Sequence, residues 1–407
     1  MRGLLGVIMP IIPTLLFVYF VNTLLIGSVG VVILQVQQGF AVSATQAALL
    51  EPSKDISAAI ASFFLASQLA RFGLKRAMLF GLAILAGACF TLPSVPGYLS
   101  SLLMFAITGM VFAVIKISIV AAIGLVAHDA KHHASAIGLL EAFFMFGVLA
   151  MYYTFGAFVD DDNPASLSWM NSYYLLGSLL LLAWALVWRI PLDESALHNN
   201  EPTVGIKDML QLLSMAYVLF FVVGIFFYVF TEQGLMSWLP SFYSQALNVP
   251  TTLALQVASL LALLLAIGRL FSVWILRFIS WYPLVIICCT SIALLIAVGM
   301  FALNFHSAEI HTWRDLPLGA LAFPLAGIFF APLYPMMSSV ILSSMPVNKH
   351  APMTGLIMIF SVLGGTTGSF IIGRLFDTVG ATLAYWIMPL SCAAMLVAFS
   401  MLNKKLN

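Results

Sequence analysis

The sequence predicts an all-α integral membrane protein of twelve transmembrane helices in two six-helix bundles, and three observations predict it. Of its 407 residues, 62% are hydrophobic and 8% are charged, whereas a soluble domain carries about a quarter charged residues. Apolar runs long enough to cross ~30 Å of hydrocarbon, which takes ~20 residues of helix, recur twelve times along the chain. Finally, the polar, Pro-containing stretch PLDESALHNNEPTVGIKDML at 191–210 falls almost at the midpoint and divides the runs into six and six.

The spans are placed at approximately 10–36, 44–70, 77–96, 99–127, 134–159, 169–190, 213–244, 249–277, 282–304, 316–346, 351–376 and 381–402. Several are longer than a straight crossing requires, so tilt or curvature is expected. Short connections make sequential helices antiparallel neighbours. The expected organisation is an N-terminal bundle over 1–190, a cytoplasmic linker over 191–212 and a C-terminal bundle over 213–407. The opening MRGLLGVIMPIIPTLL runs past signal-peptide length without a small-residue cleavage site, and is expected to be the first span, retained.

Loop charges set the orientation. Arg2, Arg71, Lys75, Arg76, Lys131, Arg189, Lys207, Arg277, Lys349, Lys404 and Lys405 fall on one side, and Arg314, Arg374, Lys54 if helix 2 starts high, and the run Asp160–Asp162 on the other. Both termini are therefore expected in the cytoplasm, with the chain in the inner (plasma) membrane. A net charge of +1 offers no basic surplus for nucleic acid. The four cysteines, Cys89, Cys288, Cys289 and Cys392, sit in apolar runs without Cys-x-x-Cys or metal spacing, and read as buried, inert thiols. The expected partners are the lipid bilayer, a small solute and protons, and no cofactor or metal is expected.

The halves are related in sequence. Sliding the chain by 217 residues sets HASAIGLLEAFFMFGVLAMYYTFGAFVD, from His133 to Asp160, on HAPMTGLIMIFSVLGGTTGSFIIGRLFD, from His350 to Asp377, without a gap. Identities include Gly138/Gly355, Phe143/Phe360, Gly147/Gly364, Gly156/Gly373 and Asp160/Asp377. Recurring glycines point to close helix packing reused in both halves. Two six-helix halves joined by a polar linker resemble the major facilitator superfamily, which implies halves that rock about a midplane site.

The loop SQLARFGLKR at 67–76 resembles that superfamily's helix 2–3 signature, with Arg71, Gly73, Lys75 and Arg76 at matching places and Ser67 and Ala70 departing from it. Glycine permits the tight turn, and the cations can bridge to helix ends as a gate. Within the superfamily, LQVQQGFAVSATQAALL (34–50), YVFTEQGLMSWLPSF (228–242), AIGRLFSVWILRF (266–278) and LYPMMSSVI (333–341) look like the fucose/galactose:proton symporter family. The resemblance implies proton-driven uptake of a sugar or sugar derivative, and it points Tyr334 toward the cavity. That family's coupling carboxylates lie on helices 1 and 4, where this chain has Gly30 and Lys116.

A charge at mid-bilayer costs about 2.5–3.5 kcal/mol on insertion scales, so each one that survives there is a candidate site residue. Four lie deep: Lys116 on helix 4, Glu141 on helix 5, Glu232 on helix 7 and Arg269 on helix 8. Helices 4 and 5 form a hairpin that turns near residue 130, which brings Glu141 within reach of a long lysine. Three readings of Lys116 stay open: a pair with Glu141 that breaks during transport, a permanent tie between two helices, or direct contact with an anionic solute. Gly234 is expected to unwind helix 7 beside Glu232, with Gln233 and Trp238 presenting an amide and a stacking face to a polyhydroxylated ring. An interfacial anchor is the other reading of Trp238. Asn22 on helix 1 is a further cavity candidate. In EPSKDIS at 51–57, Glu51, Lys54 and Asp55 form a self-neutralising cluster, read as a gate latch or a solvated helix end. Pro324, Pro332 and Pro335 should bend helix 10 around Tyr334.

No G-x-x-x-x-G-K-[ST] loop is present to energise transport with nucleotide, and no nucleophile–base or metal-spaced cluster lies in the spans to support an enzyme. The sequence therefore reads as a secondary active transporter of a small polar solute, a sugar or sugar derivative including anionic ones, coupled to protons through Glu141 or Glu232. An efflux antiporter for amphipathic or siderophore-like compounds is the alternative.

Overall fold

The computed structural model describes residues 2–126, 130–194, 206–276, 278–303, 309–346 and 349–406. Their helices are α1 (Arg2–Ile26), α2 (Val29–Phe40), α3 (Ala44–Ala47), α4 (Leu50–Phe72), α5 (Leu74–Thr91), α6 (Tyr98–Val126), α7 (Ala130–Gly156), α8 (Ser172–Arg189), α9 (Ile206–Leu213), α10 (Ala216–Ala246), α11 (Thr251–Ile275), α12 (Trp281–Leu303), α13 (Ala322–Phe330), α14 (Leu333–Ser343), α15 (His350–Ala384) and α16 (Ile387–Leu406). No strand occurs among the described residues, as hydrocarbon demands of a chain that must satisfy its backbone within each crossing. Eleven described segments are long and apolar enough to span a membrane. α4, where the sequence places the second span, is not among those eleven, and its first two turns carry Glu51, Lys54 and Asp55.

Several spans are interrupted where local chemistry interrupts them. The first bends at Gly27–Ser28, where Ser28 N–H bonds to Leu25 O at 3.1 Å and its hydroxyl to the same carbonyl at 2.7 Å, a tighter turn than an α-helix makes. The tenth divides at Ala331–Pro332 into α13 and α14, as its prolines predict. Gly380, at φ 84°, ends the regular part of α15. The seventh span differs from expectation. α10 runs unbroken through Gly234, which is buried with Ile372 Cδ1 only 2.5 Å from where a Cβ would stand. That glycine is a packing surface rather than an unwound turn.

The described residues form two compact units, Met1–Val42 with Leu49–Pro202, and Ser43–Ala48 with Thr203–Asn407. In the first, α7 packs on α1, α4 on α6, and α5 on α6 and α8. Gly147 of α7 meets α1, where a Cβ would lie 2.8 Å from Thr23 Cβ, and Gly109 of α6 lets its helix close onto the Lys54 carbonyl of α4. Tyr19, Phe112 and Phe144 form an aromatic knot joining α1, α6 and α7, with centroids 5.7–6.2 Å apart.

In the second unit α10 is the central helix, packed by α11, α15 and α16. Gly364 and Gly368 of α15 sit on the Phe226 and Phe230 carbonyls of α10. Gly364 is the repeat partner of Gly147, and both lay a fifth-position helix on the first helix of its unit. Phe242, Phe323, Phe376 and Tyr385 fill the core beside Trp238, with ring centroids 4.2–5.0 Å apart at the closest pairs. α3 belongs to this unit. Ser43 and Gln46 make a capping box at its start, and Asp377 of α15 accepts from Ala44 N–H at 2.9 Å and Thr45 N–H at 2.8 Å. α9 lies in the stretch read from the sequence as linker, and the Met209 side chain packs against Gly355 of α15.

A Cβ at Gly368 would lie 2.6 Å from the Phe230 carbonyl oxygen, whereas one at Gly87 would meet nothing within 4 Å. Gly368→Val is therefore expected to cost about 1–3 kcal/mol of overpacking. Gly87→Ala should be neutral, or stabilising by up to about 1 kcal/mol. Melting of the purified protein in one detergent, compared across the two variants, checks the contrast.

Candidate functional site

In the first unit, α6 and α7 present Lys116 and Glu141 to each other with Nζ 3.9 Å from Oε1. The side chains are 46% and 47% exposed, so the pair is not sealed inside the unit. One turn away on each helix lie Phe112 and Phe144 of the aromatic knot. Two buried polar atoms of the same unit, Ser118 Oγ on α6 and Asn22 Oδ1 on α1, make no hydrogen bond to the described residues. Asn22 is fully buried and its Nδ2 donates to Val18 O at 2.8 Å. It therefore faces helix packing in this structure rather than an open cavity.

In the second unit, the Tyr228 hydroxyl donates to Glu232 Oε1 at 2.7 Å. The two lie four residues apart on one face of α10. The Arg269 guanidinium on α11 acts electrostatically on both. Tyr334 of α14 stacks obliquely on Tyr228 with centroids 5.8 Å apart, and Ser361 of α15 approaches the Tyr334 hydroxyl at 3.5 Å. Glu232 and Gln233 are half-buried. The result is a carboxyl held by a phenol, balanced by a guanidinium and flanked by a second phenol. Such a group can exchange a proton and accept from hydroxylated solutes. Tyr228 was not singled out in the sequence, although its spacing from Glu232 is the signal that finds it.

Trp238 does not join this group. It is completely buried, its indole N–H donates to Ser369 Oγ at 3.0 Å, and its ring packs 4.8 Å from that of Phe376. Both sequence readings, a stacking face and an interfacial anchor, need an accessible ring and are corrected: Trp238 holds α10 to α15.

At the gating signature, Gly73 adopts φ 94°, which a glycine tolerates, and begins α5. The Glu194 carboxylate receives Leu74 N–H at 3.0 Å and Lys75 N–H at 2.7 Å, while Lys75 Nζ donates to Ile190 O at 2.7 Å. An anion at a helix start satisfies orphan amides and complements the helix dipole. Glu194 escaped sequence reading because it lies 120 residues from its partner. Arg76 is exposed, and the Arg71 side chain lies outside the described residues. In the helix 2 cluster, Glu51 Oε1 and Asp55 Oδ1 lie 2.5 and 3.3 Å from Lys54 Nζ. The Glu51 and Lys54 side chains are 0% and 7% exposed, which corrects the solvated-helix-end reading.

Two glycine-packed helical units, each with a charged centre on its apolar helices, are an arrangement that a membrane transporter can use. The sequence profile of the Major Facilitator Superfamily matches residues 15–323, and the chain belongs to that family. Among solved structures, the nucleoside transporter NupG is similar at 13% identity and a TM-score of 0.76, over 97% of this chain and 99% of that one. The xylose transporter XylE from E. coli in its inward-open conformation gives 12% identity and 0.71, over 97% and 95%. The E. coli fucose:proton symporter FucP gives 15% identity and 0.59, over 97% and 99%. At these identities the likeness is one of fold. No curated protein sequence matches the chain.

An ion pair about half exposed contributes at most about 1 kcal/mol to stability. Lys116→Ala and Glu141→Ala should therefore melt close to wild type. A transport defect in either single variant, repaired in the charge-exchanged Lys116→Glu/Glu141→Lys protein, is the outcome expected if the pair works in transport. Removing the Glu194 carboxylate should instead cost about 1–2 kcal/mol through loss of the α5 cap, read as a lower melting temperature in Glu194→Ala.

Proposed function

We propose that this transporter moves a small polar solute, a sugar or sugar derivative, across the inner membrane by alternating access, with uptake coupled to protons at Glu232. The observation that carries the reading is the Tyr228–Glu232 hydrogen bond of 2.7 Å beside Arg269 and Tyr334. A carboxyl in that setting changes its charge with modest rearrangement, because both a neutral donor and a cation are at hand to receive either state. Phenol faces and hydroxyls suit a polyhydroxylated ring. The sugar and nucleoside transporters and proton symporters among the structural neighbours support the same class of solute. Lys116 and Glu141 supply the second charged centre, where an anionic sugar derivative would meet a cation. The loop charges favour both termini in the cytoplasm.

In this proposal Glu232 takes up a proton from the outer side together with solute, and once the solute has left it gives that proton up to the cytoplasm, leaving the carboxylate to pair with Arg269. Glu232→Gln fixes the neutral state. It should retain solute exchange across proteoliposomes while losing accumulation driven by an imposed proton gradient. The measurement is radiolabelled sugar uptake against counterflow in the same vesicles. Equal loss of both activities would remove Glu232 from coupling. Accumulation in inverted rather than right-side-out vesicles would establish the efflux antiporter instead.

A further inference from the structure

The phenol of Tyr228 has a second acceptor besides Glu232. Its hydroxyl lies 2.7 Å from Glu232 Oε1 and 3.3 Å from the backbone carbonyl oxygen of Phe330. Phe330 closes α13, and the break at Ala331–Pro332 follows at once. The Tyr228 ring packs across that break, with centroids 6.0 Å from Phe330 on one side and 5.8 Å from Tyr334 of α14 on the other. Tyr228 is buried, which keeps bulk water from its hydroxyl.

The break is a joint by its own chemistry. A continuous helix would cross it with four bonds from the amides of residues 332–335, and Pro332 and Pro335 have no N–H to give. The crossings left to the backbone are Leu333 N–H to Phe329 O and Tyr334 N–H to Phe330 O, so the carbonyl that Tyr228 reaches belongs to one of them. The two halves are held unequally. α13 lies against α11 and α12, and a Cβ on Gly268 of α11 would stand 2.8 Å from Ile328 O. α14 makes lighter contacts, with α10, α12 and α15. A change of bend therefore moves α14 against a fixed α13.

Few charges act on this hydroxyl. Glu232, Arg269 of α11 and Tyr334 of α14 act on Tyr228, and Arg269 and Tyr228 on Glu232. α13 carries no titratable side chain. On α15 these groups are His350 at the start and Arg374 and Asp377 toward the end, with Asp377 bound to α3. On α16 they are the buried thiol of Cys392 and Lys404 and Lys405 in the last turn. Lys207 and Asp208 of α9 precede α10 in the chain.

A phenol has one proton to give. An ionised Glu232 takes it in a charge-assisted bond, in keeping with the shorter of the two distances, 2.7 against 3.3 Å. A protonated Glu232 is itself a donor, and its O–H can point to the Tyr228 oxygen. We propose that Tyr228 is a positioning residue that passes the charge state of Glu232 to the tenth span. When Glu232 gains a proton and donates to the phenol, the Tyr228 O–H turns to Phe330 O, draws that carbonyl away from Tyr334 N–H and favours the bent joint. When Glu232 is ionised the carbonyl is released and α14 straightens. Tyr228 keeps its own proton throughout; the single O–H made or broken is that of Glu232. The inference rests on Glu232 as the proton carrier.

The test reads the joint and the carboxyl separately, in full-length protein in lipid. A trifluoromethyl probe on Ser339→Cys, an exposed position of α14, reports the bend by fluorine NMR, and the four native cysteines are buried. Infrared spectra in light and heavy water follow the protonated carboxyl band of Glu232, assigned by its loss in Glu232→Gln. Over about pH 4–9 the fluorine signal should shift with the same midpoint as that band. Glu232→Gln, whose amide donates at any pH, should hold the low-pH signal throughout. Tyr228→Phe keeps the ring and removes the hydroxyl, so its Glu232 band should still titrate while the fluorine signal loses its pH dependence. A fluorine signal that follows Glu232 in Tyr228→Phe overturns the switch and leaves Glu232 as the carrier. A Glu232 band that does not titrate in the labelled parent overturns both. Should Tyr228→Phe fail to elute as monodisperse protein, Glu232→Gln decides: a fluorine signal that still moves with pH there overturns the proposal.

Discussion

The cost of leaving a charge or a backbone polar group unanswered in hydrocarbon governs this protein. It forces the chain into helices, because only a helix answers every amide within its own crossing. It also sets how each charge is held. Lys116 and Glu141 answer each other across two helices with partial access to solvent. Glu232 is answered by the phenol of Tyr228 and the field of Arg269. Asp377 and Glu194 take a different solution, in which a carboxylate meets the free N–H groups at a helix start. The same physics thus yields ion pairs at mid-helix and caps at helix ends.

The repeat separates scaffold from chemistry within a single chain. Gly147 and Gly364 occupy equivalent places and do equivalent work, each admitting the first helix of its unit to close approach. With that contact setting the rotation of α7 and α15, the positions six residues earlier, Glu141 and Met358, both face outward from their units. The shared register is filled by a carboxylate in one half and a thioether in the other. Asp160 and Asp377 diverge in use rather than identity. Asp160 accepts from the amides of Asp162 and Asn163 in its own loop, whereas Asp377 reaches α3, more than 300 residues away in the chain. Packing tolerates little change at the glycines, while the exposed positions they orient are free to carry different chemistry.

How far the sequence could be read follows from the range of each interaction. Span positions, the proline break in the tenth span and the Lys116–Glu141 proximity rest on composition and rise per residue, which are local quantities, and they were legible. The role of Gly234 was not. Glycine unwinds a helix or admits a neighbour, and only the presence of Ile372 beside it decides between the two. Trp238 was misread for the same reason, since its partner Ser369 lies 131 residues away. Glu194 and Asp377 were invisible as caps because a cap is recognisable in sequence only when its carboxylate adjoins the helix it serves. The triad at Glu51, Lys54 and Asp55 was visible as a cluster. Its burial was not, because it depends on Gly109 in another helix.

Burial then decides which charges can move. The Lys116–Glu141 pair is half solvated, so water replaces most of what each partner loses on separation, and the net cost is on the order of 1 kcal/mol or less. The Lys54 triad has no such replacement: separating any member strands a charge in a packed interior, at about 3–5 kcal/mol. A conformational change in this unit is therefore expected to break the first kind of contact and keep the second intact. The triad holds packed helices together, and the exposed pair can exchange its partner for water. That division lets one helical unit hold a rigid core and a responsive surface, with α6 contributing Gly109 to the former and Lys116 to the latter.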